Sequence, residues 1–196
     1  SSQRLTGSWT PVLPESEARA AVDIASEIAA ALVTRDSLRS CKPWALAERA
    51  LLFFYLNQAR PSAQYRDLPE RLMTQALKQA ATVKMSPWMY AGSLLVGWTH
   101  AHLTSGVDAT AFYEAIDEPF IELLSDETWR PPFDLLGGLG GLGVYWLERY
   151  PDPHAVKGLE ALVRHFETRA DLADSQVKWS TPWVFQFDPV PLPDPN

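Results

Sequence analysis

Gly138, Gly140 and Gly143 spell G-x-G-x-x-G, the spacing that cradles a nucleotide phosphate when the glycines follow a buried strand and open a helix. The residues before them are Trp129-Arg-Pro-Pro-Phe-Asp. Two prolines stand where a central strand needs its N–H groups. Glu160 lies at about the right distance for the ribose-binding acid, but inside a helical pattern rather than at a strand end. The context excludes a dinucleotide loop. Other chemistry-bearing residues are sparse. His100 and His102 are two apart on a helix and point away from one another, so they do not chelate together; they read, with His154 and His165, as surface or interhelical residues. Cys41 is alone, with no Cys-His or Cys-x-x-Cys partner. Ser93 does not complete G-x-S-x-G. Asp117, Glu118 and Glu122 read as a solvated acidic face, and Trp88, Trp98, Trp129 and Trp146 as core and connector packing. Asp134 is the remaining candidate. It follows a Pro-containing connector, where an N-cap is the bland reading.

The elements that must position these residues are helical. Apolar positions recur with a helical period in Ala18–Val33, Ala45–Gln58, Leu68–Thr82, Tyr90–Leu103, Thr110–Leu124, Leu135–Tyr150 and His154–Ala173. In the first of these, Val22, Ile24, Ala25, Ile28, Ala29 and Leu32 fall mainly on one broad face. Breakers separate the helices at Lys42-Pro43, Arg60-Pro61-Ser62, Ser86-Pro87, Ser105-Gly106, Pro131-Pro132 and Pro151-Asp-Pro153. No stretch alternates long enough for a strand. The expected fold class is all-α, with seven helices.

The helices repeat. Ala91-Gly-Ser-Leu-Leu-Val-Gly-Trp98 superimposes on Gly137-Gly-Leu-Gly-Gly-Leu-Gly-Val144 with a shift of 46 residues, placing Gly92 on Gly138 and Gly97 on Gly143. A further shift of 46 towards the N-terminus reaches the helix that starts near Trp44. Each unit reads as a helical hairpin of one small-residue helix and one amphipathic helix, as in a solenoid or closed ring. Glycine in a helix costs about 0.5–1 kcal/mol relative to alanine. Five glycines between Gly137 and Gly143 therefore call for compensation. Close approach of neighbouring inner helices is the expected return.

Phe133-Asp-Leu-Leu-Gly-Gly-Leu-Gly-Gly-Leu-Gly-Val-Tyr-Trp-Leu-Glu-Arg149 resembles the Tyr-Asp-Leu-Ile-x-Gly-x-x-Gly-Ile-Gly-x-Tyr-Leu-Leu signature of the lanthionine synthetase C-like family, the lanthipeptide cyclases. Tyr90–Trp98 is similar to the family's preceding Gly-rich repeat, and Ala50–Leu56 to the first, with Glu48 and Arg49 near positions where the family prefers small residues. The resemblance runs over most of residues 15–170. It implies an α/α toroid of two concentric helical layers. It also implies zinc-dependent addition of a peptide cysteine thiol to dehydroalanine or dehydrobutyrine, with a dehydrated precursor peptide as partner. The Asp that matches Asp134 points into the family's central cavity and assists proton transfer there; this role and the cap are compatible.

The family's zinc ligands, two cysteines and one histidine, belong to the second half of the toroid, which this chain does not reach. Residues 1–196 are accordingly expected to be the N-terminal part of such a toroid, completed by a C-terminal half that is attached or separate. Zinc is expected in the complete protein, with no ligand from this chain. The run from Trp179 to Pro193 reads as an extended connector. The alternative is a non-catalytic helical-repeat module that binds a peptide or another protein; a glycosidase built on helical hairpins would need a second carboxylate facing Asp134.

Composition bounds these readings. A net charge of -7 excludes a nucleic-acid surface built on clustered cations. The longest uncharged runs, Met85–His100 and Leu135–Leu147, fall short of the ~20 residues of a membrane span. One cysteine permits no intrachain disulfide, and a cytoplasmic location is expected.

Overall fold

A computed structural model of the chain describes residues 12–33, 41–103, 108–126, 128–172 and 176–180. Among the described residues there are seven helices and no strand: α1 (Glu15–Leu32), α2 (Pro43–Ala59), α3 (Leu68–Ala80), α4 (Ser93–His102), α5 (Thr110–Ser125), α6 (Leu139–Arg149) and α7 (Pro153–Glu167). The all-α expectation holds. None of these helices is long and apolar enough to cross a membrane. Proline at the first or second helical position starts α2, α3 and α7, where its missing N–H costs nothing.

Of the boundaries that differ from the sequence expectation, three have a clear local reason. The fourth helix starts at Ser93 rather than Tyr90, because Ala91 takes a left-handed φ of 50° that no helix continues through. The sixth starts at Leu139 rather than Leu135, because residues 134–137 form a turn and Gly138 is extended. The last ends at Glu167 rather than Ala173: Arg169 N donates to Phe166 O and Ala170 N to Glu167 O, tightening the chain out of the helix. Asp171 then pairs with Lys178 in an isolated bridge. The expected connectors at Ser105-Gly106 and beyond Ser180 lie outside the described residues.

The packing forms two rows. Helices α2, α4 and α6 contact one another in series, and α5 packs along α7; α3 lies against α2, and α7 against α6. Two apolar clusters fill the space between. Leu46, Phe53, Leu56, Leu72 and Met73 centre the first, and Leu94, Phe120, Leu142, Tyr145 and Trp146 the second. Helix α4 feeds both, with Val96 and Leu103 in the first and Leu94 in the second. The broad apolar face expected of α1 is divided. Ala29 is buried and Val22, Ala25 and Leu32 pack on the first cluster, whereas Ile24 and Ile28 remain 59% and 51% exposed.

The repeat has a geometric counterpart. Ser93 N donates to Ser86 O at 2.8 Å, and 46 residues on Leu139 N donates to Pro132 O at 2.9 Å. Each bond folds the preceding turn over the helix N-terminus, and each turn passes over a glycine. A Cβ on Gly92 would stand 2.3 Å from the carbonyls of Ser86 and Trp88, and one on Gly138 2.1 Å from that of Pro132. The glycines therefore serve close approach, but chiefly of the chain's own turn. Gly141 likewise faces Leu135 O. Helix-to-helix approach is the role of Gly97, against the Tyr145 ring, and of Gly158, against the Trp146 indole. Both Gly92 and Gly138 have extended backbones open to any residue, so sterics alone exclude a side chain there. Gly138→Ala is expected to cost about 1–3 kcal/mol, the range for forced overpacking, because the clashing atom is a hydrogen-bonded carbonyl. A denaturant midpoint equal to wild type would show that the turn yields without strain.

Candidate functional site

Asp134 lies in the turn before α6, exposed to solvent. Its Oδ1 accepts from Leu136 N and Gly137 N, both at 2.7 Å. The expected cap thus closes a turn rather than the helix, whose N-cap is Gly138. Aspartate in such a turn spends one oxygen on the backbone and keeps a second for other work.

The turn does not stand alone. Tyr90 N donates to Leu136 O at 2.8 Å, joining the turn before α4 to the turn before α6. The two repeat-related turns thereby make one surface at the N-terminal ends of α4 and α6. Tyr90, Leu135 and Leu136 are 65%, 50% and 55% exposed on it, beside the Asp134 carboxylate. Ala91, the sole non-glycine residue with positive φ among those described, holds the first turn in shape at a conformational cost. This combination of one carboxylate, three exposed apolar side chains and two helix N-termini is the candidate site. Sequence reasoning found Asp134 and missed Tyr90, Leu135 and Leu136, which it had placed in the first turns of the two helices.

A second cluster, centred on a buried ion pair, was also missed. Asp117 is fully buried, not solvated as its acidic neighbours suggested; Glu118 and Glu122 are the exposed members of that run. The Arg149 guanidinium donates to Asp117 at 2.7 Å, to the Tyr145 hydroxyl at 2.6 Å and to Asp152 at 3.0 Å. Trp146 Nε1 donates to Asp117 at 2.9 Å. The guanidinium carbon lies 3.9 Å from the Tyr113 ring centroid, and the Tyr113 hydroxyl meets His100 Nδ1 at 2.6 Å. With this many partners, the cluster reads as a structural lock between α4, α5 and α6.

Burial, offset in part by Arg149 and reinforced by Asp117, pushes the Tyr113 phenol up to about 12. Burial together with Asp117 also raises Tyr145. An unfolded phenol ionises near 10. The folded state keeps these protons longer, so their contribution to stability is complete below about pH 10 and is lost as pH rises through the folded value. Denaturant midpoints are expected to fall above pH 10, and less steeply in Tyr113→Phe; a decline of the same slope in that variant would remove Tyr113 as a cause.

The remaining sequence candidates disperse. His100 is buried against Tyr113 between helices. His102 Nδ1 meets Glu148 at 3.0 Å, its Nε2 meets the Tyr55 hydroxyl, and its ring stacks on Trp98, linking α2, α4 and α6. His165 is buried and His154 exposed. Trp88 stacks on Trp129 near Phe120, and Trp146 is fully buried, as packing residues. Cys41 is half-buried before α2. Among the described residues no three His, Cys, Asp or Glu side chains come together to hold a metal; the zinc that the resemblance implies is expected on ligands from outside this chain. No family model, curated protein or solved structure matches the chain.

Proposed function

We propose that this chain is the N-terminal part of a lanthionine synthetase C-like α/α toroid, acting in a lanthipeptide cyclase-like protein on a dehydrated precursor peptide. The supporting observation is the repeated turn over Gly92 and Gly138, with Asp134 of the Phe-Asp-Leu-Leu-Gly-Gly motif exposed on the second turn. The two helical rows favour the same reading. So do the apolar side chains left exposed at both ends of those rows: Ile24 and Ile28 on α1, and Leu147 and Val163 on α6 and α7. Such faces suit further helical hairpins. Zinc and its ligands belong, on this reading, to the C-terminal half. Asp134 supplies an acid–base group beside the peptide, where the enolate left by thiol addition takes up a proton.

The test is to assay the complete protein for zinc content and for thioether formation on a peptide carrying dehydroalanine and cysteine. Zinc with ring formation supports the proposal; neither, in folded protein, rejects it. A cytoplasmic location belongs to the same reading. A second reading, a peptide-binding module without catalysis, is favoured by the exposed Tyr90, Leu135 and Leu136. It expects peptide binding that is insensitive to chelator and lost in Leu135→Ser/Leu136→Ser.

A further inference from the structure

We propose that Tyr55, His102 and Glu148 form a nucleophilic triad, in which the Tyr55 hydroxyl accepts the acyl group of an uncharged ester. The three residues come from three helices, α2, α4 and α6, and stand 47 and 46 residues apart in the chain. The repeat thus delivers them in nearly the same register, in a row near the C-terminal ends of those helices. The Asp134 surface lies at the opposite ends of α4 and α6, so the triad is a separate site and does not rest on the cyclase reading.

Donor and acceptor types fix the direction of the relay. Glu148 Oε1, a carboxylate oxygen, only accepts, so His102 Nδ1 carries the hydrogen that joins them at 3.0 Å. His102 Nε2 is then the acceptor, and the Tyr55 hydroxyl donates to it. A nucleophile bonded to a base, with the base oriented by a third group, is the arrangement that activates a serine or cysteine in acyl transfer. Here the nucleophile is a phenol. Its oxygen keeps lone pairs for an electrophile, and the Tyr55 side chain is half exposed.

The surroundings suit the step. His102 is the last residue of α4, where the carbonyl end of a helix favours the imidazolium that forms. Trp98 stacks on the imidazole with ring centroids 4.7 Å apart, which holds the ring plane and favours its charged form. Leu52, Trp98 and Val144 stand one turn before the triad residues on the same helices, and each is at least partly exposed. They set an apolar row beside the polar one. Glu148 and the carbonyl ends of the helices repel an anionic substrate, whereas an uncharged ester with an apolar acyl group suits both rows. In the step, the Tyr55 oxygen bonds to the acyl carbon, and that carbon's bond to the leaving oxygen breaks. His102 Nε2 takes the phenol proton and returns it to the leaving oxygen. Water then attacks the acyl-tyrosine with the same imidazole as base, releasing the acid and restoring the phenol.

The competing account makes the three side chains an interhelical link without chemistry. Treating the full chain with 4-nitrophenyl butyrate, and in parallel with phenylmethylsulfonyl fluoride, separates the two. Peptide mass spectrometry is expected to show Tyr55 modified faster than Tyr90 and Tyr150, although both are more exposed. Glutamine at position 102 can hydrogen-bond but takes no proton, so His102→Gln is expected to slow the reaction at Tyr55 about 10²-fold with circular dichroism unchanged. Glu148→Gln is expected to slow it as well, with partial recovery in Glu148→Asp; a link alone would leave the rate unmoved. Modification of Tyr55 no faster than that of Tyr90 would overturn the triad. So would an equal rate at Tyr55 in folded His102→Gln. One equivalent of nitrophenolate without turnover would overturn the hydrolytic return.

Discussion

Asp117→Ala is expected to destabilise the protein by about 3–5 kcal/mol, the cost of leaving one partner of a buried ion pair behind. The Arg149 side chain is 5% exposed and Asp117 is fully buried, so neither charge is solvated by water. Removing the carboxylate leaves the guanidinium facing two phenols and a half-buried Asp152, and it leaves the Trp146 indole N–H without its acceptor. The Tyr113 and Tyr145 rings supply cation–π attraction but no countercharge. Arg149→Met reverses the problem by stranding a carboxylate in the core. The double variant Asp117→Leu/Arg149→Met removes both charges and is expected to cost less than either single change. Denaturant midpoints of the three variants check the cycle. A loss below about 1 kcal/mol in Asp117→Ala would reduce the pair to the level of a surface salt bridge.

That pair also shows what the sequence conceals. Tyr113, Asp117, Phe120 and Leu124 share one helical stripe, and so do Leu142, Tyr145 and Arg149. Each stripe is apolar except for one charge, and the two charges are opposite. Read alone, Asp117 with Glu118 and Glu122 looks like a solvated run. Only the packing of α5 against α6 through the shared core turns the stripes toward one another.

The helices were legible because their periodicity and their Pro connectors agree. Pro43, Pro69 and Pro153 mark three starts within a residue or two. The starts of α4 and α6 were not legible, since Tyr90–Ser93 and Leu135–Leu139 carry apolar residues at helical spacing. What ends the helix there is a left-handed Ala91 in one case and an Asp134 side chain taking two backbone N–H groups in the other. Both depend on the turn folding back onto a glycine. The repeat was visible as Gly92 on Gly138 and Gly97 on Gly143, but not the partner of each glycine. Gly92 and Gly138 meet carbonyls of their own turns, whereas Gly97 meets a neighbouring helix. The end of α7 gave no signal either, as Thr168–Leu172 contains neither Gly nor Pro.

On the proposed cyclase reading, Asp134→Asn is expected to slow thioether formation by about 10²–10⁴-fold in the complete protein, the usual contribution of a positioned acid–base group. The substitution is informative because of how Asp134 is held. Its Oδ1 accepts the N–H groups of Leu136 and Gly137, and an asparagine carbonyl oxygen accepts the same two bonds. The turn, its bond from Tyr90 N to Leu136 O and the start of α6 should therefore survive, with circular dichroism and the denaturant midpoint close to wild type. Asp134→Ala removes the turn bonds as well, and is expected to lose both rate and about 0.5–2 kcal/mol of stability. Loss of rate in both variants, with loss of stability confined to alanine, assigns the carboxylate to chemistry and its Oδ1 to the turn. Full rate in Asp134→Asn would leave Asp134 with the turn alone, and the surface around Tyr90, Leu135 and Leu136 would then act by binding.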